Sequence, residues 1–104
     1  MKQLISTVAL LLLASESYAT VDCGPLKVTA IQVQKADVLV QVQGESWETW
    51  KSLGLHSESS TSSFQSVAQQ AMATGDSVIL RFPDGYDCMI SDYTQSAQMI
   101  RIYK

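Results

Sequence analysis

The chain has 104 residues, 7 Lys or Arg against 10 Asp or Glu, a formal net charge of −3 and 46% apolar residues. That length bounds it to one domain, and an acidic balance without clustered Lys or Arg excludes the electrostatic footprint of nucleic-acid binding. One histidine and two cysteines fall short of the ligands that a zinc site needs; no metal and no cofactor is expected.

The first residues have the three zones of a secretory signal. Lys2 is the positive start, Leu4 to Ala14 an apolar stretch, and Ser17 and Ala19 supply small residues at the −3 and −1 positions. Cleavage is expected after Ala19, giving a signal peptide over 1–19 and a single domain over 20–104. The apolar stretch is well short of the roughly 20 residues that cross a bilayer, and no later segment is long enough either, so no membrane span is expected. Thr20-Val21-Asp22 before Cys23 does not resemble a lipobox.

Leu26 to Lys35 reads as a long strand whose apolar phase slips once, between Ala30 and Ile31, which suggests a bulge. After a turn at Ala36-Asp37, Val38, Val40 and Val42 mark a second strand and complete a hairpin. Gly44-Glu45-Ser46 breaks the pattern, and Trp47 to Leu55 reads as a third strand. A serine-rich loop, His56 to Ser63, follows. Phe64, Val67, Ala68, Ala71 and Met72 then fall on one helical stripe, with Ser62 or Ser63 suited to cap its start and Gly75 to end it. Val78, Leu80 and Phe82 mark a fourth strand, closed by the turn Pro83-Asp84-Gly85. A polar connection carrying Cys88 leads to a last strand around Ile100 and Ile102.

The order β-β-β-α-β-β, mainly β with one helix, matches an OB-type five-stranded barrel; the alternative is an α+β sandwich with the helix on one face of an antiparallel sheet. Two cysteines in a small exported chain read as a Cys23–Cys88 disulfide in an oxidising compartment, periplasmic or secreted. By loop-closure entropy such a bridge is worth roughly 4 kcal/mol.

On the hairpin Leu26–Gln43, the segment Ser63-Phe64-Gln65-Ser66-Val67-Ala68-Gln69-Gln70-Ala71, Thr74-Gly75 before Val78–Phe82, and Cys88, the chain resembles the B subunits of subtilase-cytotoxin-type and pertussis-like AB5 toxins, and related small exported proteobacterial proteins. The resemblance implies a secreted OB-fold, often a ring-shaped homo-oligomer that binds cell-surface glycans. Those subunits place sugar-binding serine and acidic residues before and between the early strands. Thr20 to Pro25 holds no serine to match, so no glycan-site residue carries over.

No nucleophile, base and orienting group assemble from the sequence: His56 lies beside the serine loop, but no strained nucleophile turn is present. Asp84, Asp87 and Asp92 lack the dense oxygen-ligand spacing of a calcium loop. No enzymatic activity is expected. Aromatic side chains with polar edges are the best binding candidates, and Trp47, Tyr86 and Tyr93 are chosen, with Trp50 and Phe64 assigned to the core. The functional expectation is a non-catalytic module that binds a glycan or a protein. The alternative is a periplasmic envelope-stress OB-fold protein or an enzyme inhibitor.

Overall fold

The computed structural model describes residues 19–104; residues 1–18 of the expected signal peptide lie outside the described residues. Five strands and one helix follow in chain order: β1 (Thr20–Val33), β2 (Asp37–Gln43), β3 (Glu48–Leu55), α1 (Thr61–Thr74), β4 (Ser77–Pro83) and β5 (Met99–Tyr103). The sequence of element types is the expected one.

β1 is longer than its apolar alternation suggests, because its two halves have different partners. Thr20 to Lys27 pair with β4 and Lys27 to Val33 pair with β2, both antiparallel. Gly24 and Pro25 interrupt the β4 ladder, whose register shifts between Cys23 and Leu26. Proline has no N–H to donate and commonly marks such a break. At Gly24 (φ +144°) a Cβ would sit 2.8 Å from the Val78 carbonyl oxygen, so only glycine lets the two backbones approach this closely. A register shift is present, but earlier than the slip expected between Ala30 and Ile31: the β1–β2 ladder shifts between Val28 and Ala30.

The strands form one antiparallel sheet in the order β3-β2-β1-β4-β5. The sheet does not close through a continuous ladder. An isolated parallel bridge, Ser52 to Ser96, ties β3 to the connection just before β5, where the Ala97 N–H donates to the Ser52 carbonyl at 2.9 Å.

Alternation sends Val38, Val40 and Val42 of β2, Leu53 of β3, and Val78, Leu80 and Phe82 of β4 to the inner face, where they are buried with Leu26 and Val28. Each large apolar side chain so buried contributes about 1.5–3 kcal/mol. α1 covers this face through Ala68 and Ala71, both fully buried, and residues that small let the helix lie close.

The helix differs from expectation at its start and on one edge. It begins at Thr61, so Ser62 and Ser63 lie inside it, and the N-cap Ser60 makes no side-chain capping bond. The buried Thr61 hydroxyl instead donates to the Leu55 carbonyl at 2.6 Å. Met72 is 44% exposed, because the helix touches the sheet through a stripe too narrow to include it. Gly75 ends the helix in the left-handed region, its N–H donating to the Ala71 carbonyl.

Cys23 and Cys88 form the expected disulfide. The bridge joins the buried Cys23 of β1 to the 84–98 connection between β4 and β5. No helix among the described residues is long and apolar enough to cross a membrane.

Candidate functional site

Strand β3 alternates with Thr49, Lys51 and Leu53 buried and Trp50 half-buried. A lysine in an inward position needs somewhere to put its charge. Lys51 is 0% exposed, and its ammonium donates to the Ile90 carbonyl at 2.8 Å and the Asp87 carbonyl at 3.4 Å. It lies 4.7 Å from the Tyr86 ring centroid and 5.9 Å from that of Phe82. These rings are stacked with centroids 3.8 Å apart, so the ammonium sits alongside the pair, close to level with the tyrosine. Desolvation lowers the Lys51 pKa, opposed by the charges of Asp92 and Asp87.

The same stretch of β3 grips the connection through its backbone. The Asp92 N–H donates to the Trp50 carbonyl at 3.0 Å, and the Trp50 N–H donates to Ser91 Oγ at 3.0 Å. Asp92 then accepts from the Thr94 and Gln95 N–H groups through Oδ1, bonds that hold its carboxyl below the usual range. Tyr93 follows directly on the Asp92 bond to β3 and is 53% exposed.

The three aromatic residues chosen from sequence fall in three different clefts. Trp47 borders one of about 320 Å³ with Pro25, Glu45 and Met89. Its indole lies against Gly44, where a Cβ would come within 2.5 Å of the ring, and it packs on the rim of the core. Tyr86 borders a second cleft of about 320 Å³ with Asp84, Asp87 and Asp92. One of its faces is taken by Phe82, its hydroxyl is buried without a partner among the described residues, and burial raises its pKa. Both are more strongly tied to packing than their turn positions suggest. Among the described residues no group of three His, Cys, Asp or Glu is placed to hold a metal ion.

Tyr93 lines the third cleft, of about 420 Å³, with Gln32, Gln34, Leu39 and Trp50. Trp50 was assigned to the core by sequence; it instead stands on the outer face of the sheet, two strands from Gln32. The register explains the grouping: Gln32 pairs with Leu39, and Trp50 with Gln41, one strand further out. Leu39 is 4% exposed yet belongs to the outer face, so it forms a covered apolar floor.

Gln34 is held at every polar atom. Its N–H donates to the Asp37 carbonyl at 2.8 Å and its Nε2 to Asp37 Oδ1 at 2.8 Å. Its Oε1 accepts from Gln32 Nε2 at 2.6 Å, and its carbonyl accepts from His56 Nε2, also at 2.6 Å. His56 is thus a strut between the β1–β2 turn and the end of β3. The relay orients Gln32 and leaves its Oε1 and second N–H without a partner among the described residues.

Sequence reasoning missed Trp50, Gln32 and Lys51. A strict period-2 reading of Thr49, Lys51 and Leu53 would have put Trp50 outside. Lysine at an inward position masked that signal.

The protein class these features define is a mainly β, disulfide-bonded sheet with one covering helix and an aromatic cleft on its outer face. No protein family, curated protein or solved structure matches the chain.

Proposed function

We propose that this chain is an exported, non-catalytic binding module that engages its partner through the Trp50–Tyr93 cleft. The carrying observation is that an exposed tyrosine, on a connection hydrogen-bonded to β3, lines one cleft together with the half-buried Trp50 and the covered Leu39. Rigid aromatic anchors on loops fixed by a scaffold are the usual currency of recognition.

Support for an OB-type barrel comes from the strand order, the helix after β3, and the parallel Ser52–Ser96 bridge between β3 and the connection just before β5. In such barrels the face of strands 2 and 3, with the adjoining loops, is where oligosaccharides and oligonucleotides bind. The cleft occupies that face, and the acidic net charge disfavours nucleic acid. The reading also keeps the likeness to toxin B subunits as a proposal, and with it self-association. Met89 and Ile90, 58% and 60% exposed on the same connection, offer apolar surface for that. The disulfide is compatible with a periplasmic or extracellular location.

A glycan array read with wild-type protein and with Tyr93→Ala tests the module, alongside light scattering for the oligomer. Saturable binding of a glycan or protein that Tyr93→Ala weakens about tenfold is expected. Binding that ignores Tyr93→Ala and Trp50→Ala overturns the assignment of the site.

A further inference from the structure

The cleft is unusual on this molecule for what its lining omits. Gln32, Gln34, Leu39, Trp50 and Tyr93 include no ionisable group that is charged at neutral pH. The clefts beside Tyr86 and Trp47, by contrast, each carry at least one carboxylate. We propose that the Trp50–Tyr93 cleft binds an uncharged saccharide, an inference that rests on the binding-module reading above.

Three features argue for this ligand class. A pyranose ring presents a face of C–H groups, which packs against aromatic rings, and hydroxyls around its rim. Trp50 and Tyr93 supply flat apolar surface with a polar edge apiece. Each sugar hydroxyl both donates and accepts, and Gln32 offers one acceptor, Oε1, and one donor, its second N–H. A hydrogen bond to Gln34, itself tied to Asp37, restrains that amide and lessens what is lost in ordering it when ligand arrives.

The same lining selects against anions. A carboxylate, sulfate or phosphate brought into the cleft would lose water and gain no cationic partner, on a protein whose net charge is already −3. A protein segment is the less favoured occupant: the cleft volume, about 420 Å³, is near the small end of ligand sites of about 300–1,000 Å³ and far from an extended groove.

The test is an NMR titration of the full described chain with lactose, maltose and chitobiose, and with sialyllactose as the acidic counterpart of lactose. At least one neutral sugar should shift the Trp50 indole and Tyr93 signals saturably. Tyr93→Ala, at an exposed position that leaves the fold intact, should weaken that binding about tenfold, and Gln32→Ala several-fold. Sialyllactose should bind no tighter than lactose. Preferential binding of the acidic sugar, or neutral-sugar shifts confined to another cleft, overturns the inference. If no sugar binds while Trp50→Ala abolishes capture of a protein partner, the ligand class fails and the module reading stands. If the aromatic substitutions change no binding of any kind, both fail together.

Discussion

Replacing Lys51 with methionine separates the fold from the placement of the cleft. Lys51 is fully buried, so its charge carries a desolvation cost of several kcal/mol. Its hydrogen bond to the Ile90 carbonyl, at 2.8 Å, returns about 1.5–3 kcal/mol, and the 3.4 Å contact to Asp87 less. Methionine matches the length of the stem and removes both terms. Global stability in a urea melt should therefore change by no more than about 2 kcal/mol, in either direction. The connection, by contrast, keeps its disulfide but loses the ammonium bonds that hold it beyond Cys88. Losing about 1.5–3 kcal/mol of local hold corresponds to a roughly 10- to 100-fold rise in local opening. Amide hydrogen exchange reads the two separately: the Asp92 N–H, bonded to Trp50, should exchange faster by that factor, while Val40 and Leu80 in the core should not. Unchanged exchange at Asp92, or equal acceleration throughout the core, would refute the role of Lys51 as a fastening for the connection.

Other expectations follow from the same interior. Thr49 Oγ1 is buried without a partner among the described residues; Thr49→Val should raise stability by about 1 kcal/mol in a thermal melt, whereas Thr49→Ala should lower it. Removing the disulfide by Cys23→Ser with Cys88→Ser should cost about 4 kcal/mol in a denaturant series and speed proteolysis within 84–98. Gly54→Ala should destabilise by about 1–3 kcal/mol, since φ is +136° and the new Cβ would lie 2.4 Å from the Thr61 hydroxyl. For pH, the Thr94 and Gln95 N–H groups hold the Asp92 carboxyl below its ordinary range, so its contribution is present above the unfolded pKa and lost as pH falls through the folded one. Protection of the Thr94 and Gln95 amides, taken relative to their intrinsic exchange rates, should fall in acid accordingly. Lys51 is also lowered, so the unfolded chain binds its proton more tightly. Stability therefore gains from Lys51 as pH rises from its folded pKa to the unfolded 10.5, a gain absent from Lys51→Met.

Much of the fold was legible because alternation and punctuation agree locally. Val38, Val40 and Val42 show their inward face without ambiguity, and Gly75 and Pro83-Asp84-Gly85 stop the elements they follow. The first half of β1 was hidden because Gly24-Pro25 looks like a terminus, while the ladder to β4 resumes on both sides of it. The helix start was misplaced since serines at 60, 62 and 63 offer similar capping chemistry, and the deciding contact, Thr61 to the Leu55 carbonyl, is tertiary. The site was less legible still. The sequence offers Tyr93 only as one aromatic candidate among several, with no sign that it is the exposed one, and it places Trp50 in the core. What sets Trp50 outward is a buried charge at Lys51, stabilised by carbonyls some 40 residues away in sequence. Local pattern carries no trace of that arrangement.

The claim on which this account turns is that a ligand sits between Trp50 and Tyr93. A crystal structure of the protein grown with the neutral sugar that shifts its resonances most is the direct measurement. Density for a sugar ring against Trp50 and Tyr93, with hydroxyls on Gln32, is the predicted result. Sugar density in the Asp84–Asp92 cleft or beside Trp47, with the Trp50 cleft closed or holding only solvent, would contradict it.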